Sequence, residues 1–422
     1  MFARSEELVQ MIESRQKRLV VFDVEGVLIP KNRFFFEVGR RLGIPQLIKI
    51  LFIGFLYQIG ALPLKAALKS MFLNLRGANV STLQQIAEKI PLMPYAKELF
   101  DQLKAEGVKT ALISSGLPDS VVKNLADEVG ADQGFGFEVG LNNETLTGEI
   151  WGDVTEANGK FRILSRTLEA EGLELGDCAV VADDRNNASI FLPETLNIGY
   201  NPDFLLRMKA DEVVTGTLPK ILPIIKGDQK KRHLPSRNDF VREAIHASGL
   251  AVPIIVGLIG LPIVALLISV VIAVYVISEL LRLDGKNLPV VSAITRRAAS
   301  QLEMNDFAAA PLYFAVGILA TLLIFPAPAS SAAVGIFAFG DSAASMSGGL
   351  VSRTPLPLNK SKTLEGSLAG FFFAFLAGSF YISPLFALIG AAVAMIIEWL
   401  PSPVNDNILI PVFTGLVLWS IL

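Results

Sequence analysis

The sequence predicts a chain of two unlike parts. Residues 1–218 read as an α/β doubly wound parallel sheet with a helical cap, and residues 244–422 as an all-α polytopic membrane bundle of about seven helices. Three observations carry this reading. Short apolar runs closed by polar turns alternate with helical stretches up to Leu218. From His246 onward apolar segments dominate, and charge retreats into short loops. Between them, within 219–243, Lys226-Gly-Asp-Gln-Lys-Lys-Arg-His-Leu-Pro-Ser-Arg forms a basic linker suited to anionic lipid.

The elements of the first part follow in order. "RLVVFDVEGVLIP" is a buried strand, Leu19 to Phe22, that runs into an acidic turn at Gly26. An insertion over about 30–95 is placed as the cap, and its stretch "QLIKILFIGFLYQIGALPLKAALKSMFLNL" is unusually apolar. A second strand, "VKTALIS", ends in Ser114-Ser115-Gly116, and a third, "CAVVA", ends in Asp183-Asp184. Ligands of such sheets bind beyond the carboxyl ends of the strands, where these three turns meet.

Their side chains suit phosphate chemistry. Asp23 is placed as a nucleophile toward phosphorus, and Glu25 as the acid that protonates the leaving group and then activates water. Ser114 and Lys160, the latter in "EANGKFRIL", are placed on the phosphoryl oxygens. Asp183 shares magnesium with Asp23, Glu25 is counted as a further metal ligand, and Asn186 steadies the site.

This ordered set resembles the haloacid-dehalogenase-like phosphatases, above all their phosphoserine-phosphatase-like branch, over roughly the first 215 residues. The resemblance implies Mg2+-dependent phosphomonoester hydrolysis through an aspartyl-phosphate. Two motifs depart from its pattern. Glu25 stands where the second aspartate of the first motif is usual. "ADDRNN" replaces Gly-Asp-Gly-x-Asn-Asp, so that Asp184 stands for a glycine and Asn187 for an aspartate.

In the second part, spans are expected at roughly 244–260, 262–281, 307–325, 329–350, 367–382, 384–400 and 408–422. The connections after the second, fourth and sixth carry Arg282, Lys286, Arg296, Arg297, Arg353, Lys360 and Lys362, while the opposite ones carry no charge. The positive-inside rule then puts these loops and the first part in the cytosol. The same face collects Glu279, Asp284, Asp341, Glu365, Glu398 and Asp406. A transporter places ionisable groups near the midplane, so this one-sided set points to a surface active site. Lysines and glycines cradle phosphates, and separated carboxylates hold divalent metal. The small residues after Asp341, among them Gly348 and Gly349, make room for a nucleotide or for close helix packing.

"GDSAASMSGGLVSRTPLPLNKSKTLEGSLAGF" and "EWLPSPVNDNILIPVFTG" resemble the membrane kinases of long-chain isoprenoid alcohols, the dolichol kinase and phytol kinase group, and so do "VREAIHASG" and "SELLR". This resemblance implies transfer of the γ-phosphoryl of CTP, with Mg2+, to a polyprenol- or phytol-type lipid alcohol in the bilayer. On it, Asp341 and Asp406 are acidic metal or base positions, and Glu398 is a metal ligand. Lys360, Lys362, Glu365, Gly348, Gly349 and Asn407 hold the nucleotide. His246, alone at a helix entrance, is read as structural. The alternative is a single-function lipid kinase, or a lipid cytidylyltransferase, carrying a degenerate regulatory phosphatase-like domain.

Totals exclude other classes. A net charge of −3 gives no affinity for nucleic acid. The single cysteine, Cys178, excludes an intrachain disulfide framework and suits a reducing compartment. Leu19-Val-Val-Phe is too short for the core of a signal peptide.

Overall fold

The computed structural model describes residues 17–31, 33–58, 62–227, 237–283, 286, 288, 289, 291, 295, 307–351, 354–357, 359, 362–400, 402 and 404–422. It divides into two compact units, Met1–Lys230 and Lys231–Leu422. The first unit therefore runs past the expected boundary at 218. Ile221 and Ile225 are fully buried in it, and the Lys17 amide donates to the Ile225 carbonyl. Residues 228–236 of the expected basic linker 219–243 lie outside the described residues, and its last part is already helical from Arg237.

Seven strands build the first unit: β1 Leu19–Asp23, β2 Lys109–Pro118, β3 Gln133–Asn142, β4 Thr145–Trp151, β5 Cys178–Ala182, β6 Leu196–Tyr200 and β7 Glu212–Val214. Their order is β4-β3-β2-β1-β5-β6-β7, parallel except for the β3–β4 hairpin. Parallel strands covered on both faces need continuous apolar runs, and LVVFD of β1 and CAVVA of β5 are buried throughout. The chain leaves β1 for β2 on one side and returns to β5 on the other, so the crevice opens at the carboxyl end of β1.

Helices α1 Arg33–Leu42, α2 Ile44–Gln58, α3 Leu64–Leu73 and α4 Ser81–Ala87 form the expected cap. Its apolar stretch splits into two faces. Ile50 and Ile53 on α2 are buried, and Gly54 lies beside Met71 of α3. Ile44, Ile48, Leu51 and Phe52 lie on the other face, each more than half exposed. The remaining helices of this unit that bear on the site are α5 Ala96–Ala105, α6 Asp119–Val129 and α7 Gly159–Glu171.

In the second unit the described helices are α8 Arg237–Ser248, α9 Ala251–Ile259, α10 Leu261–Leu283, α11 Ala310–Ile324, α12 Ala329–Val351, α13 Leu364–Ser379, α14 Pro384–Trp399 and α15 Asp406–Ile421. Among the described residues, three helical stretches are long and apolar enough to cross a membrane: Asn238–Ile259, Leu261–Arg282 and Ala329–Val351. The other expected spans, α11, α13, α14 and α15, have 15 or 16 residues, short of the roughly 20 that a bilayer core requires.

Small residues decide how α12 and α13 meet. A Cβ on Gly340 would lie 2.8 Å from that of Ala374, and one on Gly366 would lie 2.7 Å from the Ala344 carbonyl oxygen. Gly348 faces Thr363 and Gly366 across the same seam. The stripe expected to admit a nucleotide is thus used at Gly348 for backbone approach, the small-residue packing common between membrane helices. Gly349 is partly exposed beside it.

Candidate functional site

At the crevice of the first unit, Asp23 ends β1 with its carboxylate buried. The Lys160 ammonium lies 2.9 Å from Asp23 Oδ1, and Lys160 also donates to Asn187 Oδ1 at 2.6 Å. The Asn187 amide in turn donates to Asp23 Oδ2 at 2.5 Å. Lys160 sits in the first turn of α7, which packs so closely that a Cβ on Gly159 would fall 1.5 Å from the Asp153 carbonyl oxygen. A buried charge survives only when it is paired and hydrogen-bonded, and this triangle supplies both.

Glu25 takes a different place from the one expected. Ser114 Oγ donates to Glu25 Oε2 at 2.7 Å while accepting the amides of Gly116 and Leu117. Gly116 seats the carboxylate, since a Cβ there would lie 1.9 Å from Glu25 Oε1. Burial first, then the nearby Asp23 carboxylate, pushes Glu25 up to about 7. Glu25 is therefore a hydrogen-bonded acid beside Asp23 and stands outside the carboxylate cluster in which it was expected as a metal ligand.

That cluster consists of Asp23, Asp183 and Asp184, whose oxygens lie within 4.8 Å of one another. Lys31 lies 2.7 Å from Asp183 Oδ2 and 3.1 Å from Asp184 Oδ2, a cation already drawn to the spot. Among the described residues, Asp183 Oδ1 is buried without a hydrogen-bond partner. Burial pushes Asp183 up, against the pull of Lys31. Gly26 makes room here: its φ of +82° suits glycine, and a Cβ would fall 2.1 Å from Asp183 Oδ2. Three hard oxygen donors with an orphaned oxygen fit Mg2+. Asp184, noted in the sequence only as a departure, joins the donors.

Asn186 and Asn187 divide the steadying role that was expected of Asn186 alone. Asn186 faces the cap: the Tyr57 hydroxyl of α2 donates to its Oδ1 at 2.5 Å, and its amide donates to Asp184 Oδ2. Asn187 is the residue on Asp23. The signal was available in the tight turn Arg185–Asn187, which turns the second asparagine inward to zero exposure.

The second unit gathers its own polar set. Lys362 lies 2.6 Å from Glu398 Oε1 and 3.9 Å from Asp341 Oδ1. Burial opposes the charge on Lys362, but Glu398, Asp341 and Asp406 outweigh it and push Lys362 up. Glu398, expected as a metal ligand, pairs with Lys362 through Oε1, and its Oε2 is buried without a hydrogen-bond partner among the described residues. Asp341 groups instead with Glu243 and His246. Glu365 accepts from the Thr354 hydroxyl at 3.0 Å, and Asn407 donates to the Ala310 carbonyl at 3.4 Å, so both brace neighbouring segments. Asp406 opens α15. Glu279 is satisfied by Arg282 at 2.8 Å and by the Ala308 amide at 3.0 Å, a structural pair. Lys360, Asp284, Arg296, Arg297 and Arg353 lie outside the described residues.

Comparison with known proteins bears on the first unit. Residues 20–186 match the haloacid dehalogenase-like hydrolase family. Over 199 residues the chain is 31% identical to the phosphoserine phosphatase of Archaeoglobus fulgidus, covering 47% of this chain and 56% of that protein. Over 213 residues it is 27% identical to the phosphoserine phosphatase of Methanocaldococcus jannaschii, covering 50% of this chain and 99% of that one. The chain thus spans about half the length of the first relative and nearly all of the second. A solved phosphoserine phosphatase holding an analogue of the phospho-aspartyl intermediate shares 25% identity at a TM-score of 0.45, covering 49% of this chain and 98% of that one. The N-terminal unit is a haloacid dehalogenase-like, phosphoserine-phosphatase-like domain, and the chain continues beyond it into the helical unit with three candidate spans.

Proposed function

We propose that this chain is a bifunctional membrane enzyme of isoprenoid lipid phosphate metabolism. Its N-terminal unit hydrolyses a phosphomonoester through an aspartyl-phosphate on Asp23, and its C-terminal unit transfers phosphoryl from CTP to a long-chain prenyl alcohol. The first half rests on one observation, the buried Asp23 carboxylate held by Lys160 and Asn187 beside Asp183 and Asp184.

An Asp23 oxygen attacks phosphorus, and the leaving alkoxide takes the proton of Glu25. Glu25, then charged, accepts a proton from the water that opens the acyl phosphate. Lys160 balances the charge that the phosphoryl oxygens bring to Asp23. Asp23, Asp183 and Asp184 would hold Mg2+, which would supply the positive charge that screens the attacking carboxylate from the phosphate. With Glu25 titrating at about 7, it is protonated below that pH and charged above it. The rate of aspartyl-phosphate formation should therefore fall as pH rises through about 7, and Glu25→Gln should flatten that limb in a single-turnover pH profile. A wild-type limb that persists in the variant contradicts the assignment.

The kinase half is supported by the motifs quoted above and by the convergence of Asp341, Lys362, Glu398 and Asp406 in an otherwise apolar bundle. Ionisable groups in such surroundings mark function. Its test is incubation of the purified protein with labelled CTP and a ladder of prenyl alcohols, with and without Mg2+. A labelled prenyl phosphate that needs Mg2+ is expected, and no labelled lipid under any condition removes this half.

The relatives act on phosphoserine, but the exposed apolar face of α2 suits a membrane-borne phosphate. Ile48→Ser with Phe52→Ser should weaken binding of residues 1–230 to anionic liposomes by tenfold or more, since each apolar side chain buried contributes about 1.5–3 kcal/mol. Unchanged binding would leave that face without a membrane role.

A further inference from the structure

Glu243 and His246 stand three residues apart on one face of α8, and Asp341 of α12 faces them. One ligand atom from each lies within 4.8 Å of the others, and the three residues are only 5, 8 and 8% exposed. The imidazole is stacked flat on Phe314, with ring centroids 4.4 Å apart and planes 6° from parallel. That contact fixes the ring plane, yet Nδ1 stops 3.8 Å from Asp341 Oδ2, beyond hydrogen-bond reach.

Among the described residues, the polar accounting at this point does not close with protein groups alone. His246 Nδ1 and Glu243 Oε2 are both buried without a hydrogen-bond partner. The other oxygen of Glu243 is taken by Arg242 at 3.1 Å, and Lys362 is engaged by Glu398. Unsatisfied buried atoms of this kind are costly, and two carboxylates facing one another in a low-dielectric bundle repel. A cation seated among one ring nitrogen and two carboxylates resolves all of these at once.

We infer that Glu243, His246 and Asp341 ligate a first-row divalent cation of the Mn2+ or Zn2+ class. An imidazole among the donors selects such ions over Mg2+ or Ca2+. Three protein ligands leave coordination positions open, so the ion can also take a water or a phosphate oxygen. His246 then has a ligand role that its lone position in the sequence concealed. The inference deepens the phosphotransfer reading, with which it shares Asp341, but metal binding is measured without it.

The test uses the tag-free full chain in detergent, stripped with chelator and titrated with Mn2+. Bound ion is read by pulsed electron paramagnetic resonance, which detects directly coordinated nitrogen. The cluster on Asp23 offers only oxygen, and the chain has two histidines, His233 and His246, so a nitrogen signal that is lost with His246 isolates this site. Wild type should show nitrogen-coupled Mn2+. His246→Gln should abolish the coupling, and the near-isosteric Glu243→Gln should weaken the nitrogen-coupled ion about tenfold or more while the protein stays monodisperse. No nitrogen-coupled ion in wild type, or coupling that survives His246→Gln, overturns the site. Nitrogen-coupled Mn2+ in a chain that makes no labelled lipid sustains the site and removes the kinase reading. Labelled lipid from a chain without that ion does the reverse.

Discussion

Asp23→Asn should lower phosphomonoester turnover by about 10⁴-fold or more while leaving the domain folded, the scale seen when a nucleophile is removed. The amide has the same shape as the carboxylate and can still accept from Lys160 and donate to, or accept from, Asn187. What it cannot do is attack phosphorus and leave an acyl phosphate for water to open. It also removes one of the three charges that draw the divalent ion. Steady-state turnover with saturating Mg2+, beside a thermal melt, separates the two effects. CTP-dependent lipid phosphorylation should be unchanged in this variant. Retention of a hundredth of wild-type turnover would exclude Asp23 as the nucleophile. A wild-type protein inert toward a broad panel of phosphomonoesters would instead favour a single-function kinase with a regulatory domain.

Lys160→Met is expected to have the second-largest effect, and it acts on stability as well as rate. Methionine fills the channel along α7 but leaves the Asp23 carboxylate with only the Asn187 amide and the Val24 N–H. Breaking a buried pair by deleting one partner costs about 3–5 kcal/mol, because the other charge stays buried. Turnover should fall about 10²–10³-fold through loss of the cation that balances the phosphoryl oxygens. The double variant Asp23→Asn/Lys160→Met leaves no orphaned charge and should be more stable than Lys160→Met alone. Chemical denaturation of the four proteins closes that cycle. Additive losses would mean that the pair is not coupled as its 2.9 Å separation requires.

Much of the phosphatase-like site was legible because its chemistry is tied to strand ends. Asp23, Ser114 and Asp183 follow apolar runs that read as buried strands, and the sheet brings those ends together. Lys160 was legible as a cation for the phosphoryl oxygens, and the fold seats it in the first turn of α7. The β3–β4 hairpin escaped the reading, although its alternating pattern and the left-handed Asn143 and Glu144 at its turn are a hairpin signal. Side-chain direction was the harder part. Which of Asn186 and Asn187 points inward depends on one tight turn, and whether Glu25 binds metal or hydroxyl depends on the position of Ser114.

In the helical unit, hydropathy located the apolar segments but not their lengths. Helices α11 and α13–α15 have 15 or 16 residues. The sequence gathered its carboxylates by loop position alone. Packing instead divides them between an ion pair, Lys362–Glu398, and the trio of Glu243, His246 and Asp341. Glu243 and His246 enter that trio from α8, which the linear pattern had divided between linker and first span.

The central claim is a covalent phosphoryl-enzyme on Asp23, and borohydride trapping tests it most directly. The full chain is mixed with Mg2+ and a hydrolysable phosphomonoester, quenched, reduced and digested. Reduction of an aspartyl-phosphate leaves homoserine, so the peptide containing position 23 should carry that change only when both substrate and Mg2+ were present. Turnover with an unmodified Asp23, or homoserine at another position, would contradict the account.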